Sequence, residues 1–350
     1  MDFVYNANPS RVIFGAGARA RVGEELERLG IKRAIVLSTP DQSQLAAEIA
    51  KTIGGRAGIM YPGAVMHTPT EVTESALQAV SSVRADGCLA IGGGSTTGLS
   101  KAIAYRTDLP QLIVPTTFAG SEMTPILGQT EMGRKTTLSS PKVLPETVIY
   151  DPELTVTMPK FISGPSGLNA IAHSMEGLYA RDRNPIISMM AEESIRALGV
   201  ALPKLMDDPS NLEAHGDALY GAWFAGICLG SVGMAIHHKI CHTLGGTLNL
   251  NHADVHALML PYTAAYNREA APEAMAAIAR ALKAHDGPRG LYALMKVCAS
   301  KRSLKEMGVS EADLEKVADI AMENPYFNPR PVTREGIREM LQAAYEGREP

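Results

Sequence analysis

An α/β domain followed by an all-helical domain is the architecture this sequence predicts, and three observations carry it. Short β-rich runs alternate with helical patterns over roughly the first 150 residues, the signature of βαβ units and a mostly parallel sheet covered on both faces. After Asp151 and Pro152 the β signal nearly vanishes. At about 150 residues per domain, 350 residues leave room for about two cores.

Taken in order, the predicted strands are Arg11 to Phe14, Ala34 to Leu37, Gly58 to Tyr61, Gly87 to Ile91, Gln111 to Pro115 and Thr147 to Tyr150. The helical patterns between them are Arg19 to Leu29, Gln42 to Ile53, Pro69 to Val83 and Thr96 to Tyr105. Ile126 to Leu138, with Glu131, Met132 and Gly133 at its middle, reads as a hairpin inserted before the last strand. The remainder reads as helices over Gly164 to Ala180, Ile186 to Met206, Asn211 to Leu229, Gly233 to Leu248, His256 to Asn267, Pro272 to Ala284, Gly290 to Val297, Glu311 to Ala321 and Thr333 to Tyr345. Gly and Pro punctuate their ends. The domains are therefore 1–153 and 154–350, and a cleft between two such domains is a common place for a cofactor and its substrate.

Composition narrows the function classes. Lys plus Arg is 33 and Asp plus Glu is 37, a net charge of −4 with no basic excess, so nucleic acid is not expected as a partner. Four scattered cysteines, Cys88, Cys228, Cys241 and Cys298, without CxxC spacing, and an N-terminus without a signal-peptide pattern lead to a cytoplasmic expectation. The 19 uncharged residues from Ala218 to Ile236 reach the length that flags a membrane span. Five small residues dilute them, so the reading is a buried core helix and no membrane partner.

Two loops carry a phosphate-binding signal. Ile91 closes a strand, and Gly92, Gly93, Gly94, Ser95, Thr96 and Thr97 lead into a helix. Glycines let the backbone approach closely, and unpaired N–H groups at a helix start receive anionic oxygens. The spacing is neither GxGxxG nor a Walker motif. Thr116 and Thr117 follow another strand, and in a parallel sheet both loops meet at one edge, able to hold a pyrophosphate from two sides. Ser38 and Thr39 end the strand facing the cofactor's other end. They offer no carboxylate against a 2′-phosphate, so both NADH and NADPH are accommodated, with Asp41 nearby.

Histidines make the second constellation: His237, His238, His242, His252 and His256 fall within twenty residues. His238 and His242 share a helix face, as do Asn169 and His173. Gly245 and Gly246 are expected to break the helix and let His252 return to the same place. One such histidine alone is ordinary core; a cluster of titratable groups is characteristic of a site. Asn169, His173, His238 and His252 outline a metal cage lacking a carboxylate, so metal affinity should fall and an oxyanion-binding pocket should result.

These residues resemble the iron-containing alcohol dehydrogenase superfamily, whose fold is dehydroquinate synthase-like, over nearly the whole chain. The match runs through Gly92 to Ser95 with Lys101, Pro115 to Thr117, Asn169 with His173, and His238, His242 and His252. The resemblance implies a metal at the positions of Asn169, His173, His238 and His252, a nicotinamide beside His242, and a homodimer. The family usually has an acidic residue at Asn169 and at Gly98, and its Thr116 to Glu122 loop is one residue longer. These departures, with the strings GGGSTTGL, TTFAGSEM, HHKICHTLGG and NPYFNPRPVT, are similar to the maleylacetate reductase branch. That branch implies metal-free, NADH- or NADPH-dependent reduction of a dicarboxylate, 2-maleylacetate to 3-oxoadipate, in the bacterial breakdown of aromatic rings. Lys239 and Arg330 are the candidate partners of the substrate carboxylates. The alternative is an iron- or zinc-dependent alcohol or polyol dehydrogenase of the same superfamily.

Overall fold

A computed structural model describes residues 3–8 and 10–350, the side chains of Arg134 and Lys135 aside. The chain divides into two compact units, one from Ala7 to Val156 and one from Thr157 to Pro350, with the described residues before Ala7 grouped with the second.

The first unit holds a six-stranded parallel sheet of β1 (Arg11–Phe14), β2 (Ala34–Leu37), β3 (Ala57–Tyr61), β4 (Gly87–Gly92), β5 (Gln111–Pro115) and β8 (Thr147–Tyr150), in the order β1-β8-β5-β4-β2-β3. β2, β4 and β5 are buried along their whole length, which is why they read as continuous apolar runs rather than alternating ones. The chain leaves β3 at one edge and re-enters as β4 on the other side of β2, so the strand order reverses at β2 and β4. Ligands bind outside the carboxyl ends at such a reversal. Helices α1 (Val22–Arg28), α2 (Ser43–Ile53), α3 (Thr70–Val83) and α4 (Gly94–Thr107) belong to this unit. The hairpin is β6 (Ile126–Glu131) with β7 (Arg134–Ser139). Met132 and Gly133 form its turn, both at positive φ as a two-residue hairpin of matching twist requires.

Among the described residues the second unit has nine α-helices: α5 (Lys160–Tyr179), α6 (Pro185–Asp207), α7 (Leu212–Ser231), α8 (Ile236–Leu248), α9 (His252–Tyr266), α10 (Pro272–Ala281), α11 (Gly287–Cys298), α12 (Glu311–Met322) and α13 (Arg334–Glu346). α5 is buried on every side from Ser163 to Tyr179. Its glycines permit that: a Cβ on Gly164 would lie 2.0 Å from the Cys298 carbonyl oxygen, and one on Gly167 would lie 2.4 Å from Leu202. The 19-residue apolar stretch is not one helix. It breaks after Ser231, α7 and α8 meet at 96°, and among the described residues no single helix is long and apolar enough to cross a membrane.

Two expectations near the histidines are corrected. Gly245 and Gly246 lie inside α8, which runs on to Leu248; helix glycine costs only about 1 kcal/mol relative to alanine, and the chain turns at Asn249, in the left-handed region at φ 52°. The next helix starts at His252 rather than His256, because the Asn251 side chain accepts from the N–H groups of Ala253 and Asp254 and caps it there.

Candidate active site

At the reversal of strand order, adjacent parallel strands bring both predicted loops together. Gly92 of β4 pairs with Pro115 of β5, and the Thr116 N–H donates to the Gly92 carbonyl at 3.2 Å. A Cβ on Gly92 would lie 2.3 Å from Thr96 Oγ1, and one on Gly93 would lie 2.8 Å from Thr117 Cγ2. These glycines are therefore needed for close approach. Gln42 Nε2 donates to Thr116 Oγ1 at 2.7 Å, tying the segment after β2 to the same place. Gly93 supplies no side-chain cap to α4, while its carbonyl accepts from the Thr96 and Thr97 N–H groups at 3.1 Å, so only the N–H groups ahead of Thr96 are offered to a ligand.

The hydroxyls of Ser38, Thr96, Thr97 and Ser121 are buried without a partner. Buried polar groups are normally satisfied, and a phosphate-bearing cofactor would satisfy them. Ser95 and Thr117 are half-buried beside them, as is Thr39, which opens the short turn Pro40–Gln42. Asp41 is exposed in that turn.

Lys101 braces the far side of this loop. Its Nζ donates to the carbonyls of Ser121 (2.5 Å), Thr124 (2.7 Å) and Ile126 (2.9 Å) and to Thr124 Oγ1 (2.9 Å). Burial pulls the ammonium down to about 7 while the Glu122 charge pushes it back up. Carbonyl oxygens only accept, so this shell favours the charged form. Glu122, itself pushed up by burial, accepts from the Tyr150 hydroxyl at 2.7 Å.

In the helical unit, the spacing 169, 173, 176 puts Asn169, His173 and Glu176 on one face of α5. Glu176 is the carboxylate absent from the sequence reading. It is fully buried and accepts from the N–H groups of Ala235 (2.9 Å) and His237 (2.7 Å) and from His238 Nδ1 (2.6 Å). It thus caps α8, whose own N-cap residue Ala235 has no capping side chain. It also fixes the tautomer of His238, placing the proton of the neutral ring on Nδ1. The only sequence signal for it was its i+7 spacing from Asn169.

The predicted histidines do come together. The rings of His173 and His238 stack at 5.2 Å, His238 and His242 lie at 5.9 Å, and His242 and His252 lie at 5.9 Å. His256, counted in the cluster but given no role, is 4.9 Å from the His238 ring and 4.2 Å from the His252 ring. Burial holds His173, His237 and His256 well below the usual imidazole range, reinforced by the neighbouring histidines.

Lys239 and Arg330, the candidate partners of the substrate carboxylates, both contact protein groups. Lys239 Nζ donates to the Glu323 carbonyl at 2.6 Å. The Arg330 guanidinium lies 4.2 Å over the Tyr266 ring and donates to the Tyr266 carbonyl. Both hold the segment between α12 and α13, where a flexible cation gains more from fixed carbonyls and a ring face than from open solvent. That segment also carries Tyr326, whose phenol is pushed up by burial and by the Glu176 charge.

The cage implied by the resemblance fits a metal poorly. Its donors are three imidazoles and an amide, all uncharged when unprotonated, and the nearby carboxylate is committed to His238 and α8. His173 Nδ1 has no partner, whereas a ligating histidine almost always donates its second N–H to an outer group. Among the described residues, ligand atoms lying within 4.8 Å of one another belong instead to His242, His252 and His256, and to His237, Cys241 and His256.

The sequence pattern of the iron-containing alcohol dehydrogenase family matches residues 9–152, and that of the Fe-containing alcohol dehydrogenase family, C-terminal, matches 164–345. The chain belongs to this family. Within the iron-containing alcohol dehydrogenases, it is 52% identical over 348 residues to a maleylacetate reductase of Rhizobium sp. (strain MTP-10005), covering 99% of each chain. It is also 52% identical over 350 residues to one of Sphingobium indicum, covering all of this chain and 99% of the relative. The crystal structure of maleylacetate reductase from Agrobacterium tumefaciens superposes with a TM-score of 0.97 at 51% identity over the full length of both chains. The place in the family is therefore the maleylacetate reductase branch, and the protein is an oxidoreductase.

Proposed function

We propose that the protein reduces the conjugated carbon–carbon double bond of 2-maleylacetate to give 3-oxoadipate, with NADH or NADPH as reductant and no resident metal. The observation that carries the reading is full-length identity of 52% to relatives named for that substrate, in a chain that keeps both the glycine loop and the histidine cluster. Gly92, Gly93, Gly94, Ser95, Thr96, Thr97, Thr116 and Thr117 would hold the pyrophosphate, with Ser38 and Thr39 at the ribose beyond. When bound, the nicotinamide supplies a hydride to the alkene carbon farther from the ketone.

The chain's own residues handle the charge and the proton. Negative charge arriving on the ketone oxygen is met by the Asn169 amide and the imidazoles of His173 and His252, joined by His238 when its ring is protonated. With its Nδ1–H on Glu176, His238 turns Nε2 to the site, where it accepts in the neutral ring and donates in the protonated one. His242, which reaches the surface in part, delivers the proton to the carbon beside the ketone. The reading includes a homodimer in the cytoplasm, in keeping with four free, buried cysteines.

The test is loss of NADH absorbance on adding maleylacetate, compared with simple alcohols and aldehydes, before and after EDTA. Activity on maleylacetate that survives EDTA is the expected result. Activity abolished by EDTA and restored by iron or zinc overturns the metal-free mechanism in favour of a metal-dependent alcohol or polyol dehydrogenase. Light scattering giving twice the 37.3 kDa chain mass tests the dimer.

A further inference from the structure

Lys101 is buried on α4, about two helical turns past Gly94. All its bonding partners are acceptors: the carbonyls of Ser121, Thr124 and Ile126, and Thr124 Oγ1, whose own proton goes to the Ser121 carbonyl at 3.0 Å. A neutral amine would turn a lone pair into this shell, so the nitrogen is an ammonium with every N–H taken by protein oxygens. Burying a cation against neutral carbonyls is a poor source of stability, because desolvation offsets much of what the bonds return. What the ammonium holds in place is the better explanation for it.

The held segment, 121–126, follows Thr116 and Thr117 in the same loop. Lys101 binds Ser121 through its carbonyl and leaves the side chain alone. Ser121 Oγ is buried without a protein partner and lies 3.9 Å from where a Cβ on Gly94, the first residue of α4, would stand. From the other side, the Glu122 carboxylate accepts from the Tyr150 hydroxyl at the end of β8. The segment is therefore gripped on both sides, and Ser121 is kept at the helix start. We propose that Lys101 is a positioning residue for the cofactor, fixing the Ser121 hydroxyl at the start of α4 where it donates to a phosphate oxygen of the nucleotide. This rests on the reading of the glycine loop as the cofactor site. With its N–H groups committed, Lys101 acts through Ser121 and not on the phosphate itself.

The test pairs NADH affinity, by fluorescence titration, with kcat for maleylacetate at saturating NADH. Lys101→Met keeps the stem and removes the N–H groups; Kd for NADH should rise about tenfold with kcat held within about threefold. Ser121→Ala should raise Kd about fivefold, the value of one ordinary hydrogen bond. Residues that act through one contact are not additive, so the double variant should stay within about twofold of Lys101→Met, where independent effects would multiply to about fiftyfold. Thermal melts check that each variant is folded. If Lys101→Met does not fold, Thr124→Val takes its place in the same cycle: it removes only the hydroxyl acceptor, and its Kd rise of about threefold should vanish in the Ser121→Ala background. Multiplying effects, an unchanged Kd in folded Lys101→Met, or a fall confined to kcat overturns the positioning role. Gly92→Val separates the two readings. Unchanged NADH binding there overturns the cofactor site itself, whereas weakened binding there with normal binding by Lys101→Met and Ser121→Ala overturns only the role of Lys101.

Discussion

Around the glycine loop of the α/β unit, buried hydroxyls on Ser38, Thr96, Thr97 and Ser121 have no protein partner. In the helical unit, the polar groups near the histidines mostly bind one another: Glu176 takes three N–H donors, and Thr263, His237 and His256 form a closed run ending in one open nitrogen. The first arrangement is completed by a ligand; the second is set before any ligand arrives. Substitutions in the first should therefore act on cofactor affinity, and those in the second on turnover and stability.

The sharpest break should come at Gly92→Val, where a Cβ would meet Thr96 and Gln42 at 2.3 to 2.9 Å. Steady-state kinetics should show kcat/KM for NADH falling on the order of a hundredfold, about 3 kcal/mol, together with a lower melting temperature, because Gly92 also sits at φ 156°. Normal NADH kinetics would remove the loop from the cofactor site.

Glu176→Gln keeps the size but replaces one acceptor oxygen by an NH₂ group facing donors. Its kcat should drop by roughly tenfold to a hundredfold, as for lost outer support of an active imidazole, while KM for NADH holds. Unchanged kcat with a lower melting temperature would reduce Glu176 to a structural cap.

The two units should also differ in acid. His173, His237 and His256 have folded pKa values below the ordinary 6.5 because of burial. The unfolded chain binds the extra protons, so their contribution is present above pH 6.5 and lost as pH falls below it. Each group adds a slope of about 1.4 kcal/mol per pH unit. Denaturant melts between pH 5 and 7 should show this, with His256→Asn removing one group's share. A flat profile would mean the rings are charged in the fold.

Restoring charge to the cage tests its neutrality. Asn169→Asp should raise divalent-metal affinity about tenfold or more by calorimetry, since an anionic oxygen replaces an amide; no change would count against a residual cage. The smallest effect should be Thr97→Ala, which removes one ligand-directed hydroxyl. KM for NADH should rise about fivefold, the value of one ordinary hydrogen bond.

Much of the fold was legible because period and punctuation are local properties. The all-buried runs Ala34–Leu37 and Gly87–Gly92 and the Met132–Gly133 turn announce a parallel sheet and a hairpin from a few adjacent residues. Gly245 and Gly246 misled because a helix end is decided by what caps it, here Asn249 and Asn251, not by the weakest helix former nearby. That His173, His238, His242 and His252 gather in one place was legible from their spacing and density. The partner of each was not.

Residue types and their short-range spacing by themselves determined that this chain has a glycine-turned phosphate edge and a histidine-rich helical half. Only the tertiary structure decided which nitrogens carry protons. Glu176 reaches His238 across 62 residues, and Thr263 reaches His237 across 26. A hydrogen bond's direction depends on every partner present in space, and sequence order alone does not specify which residues those are.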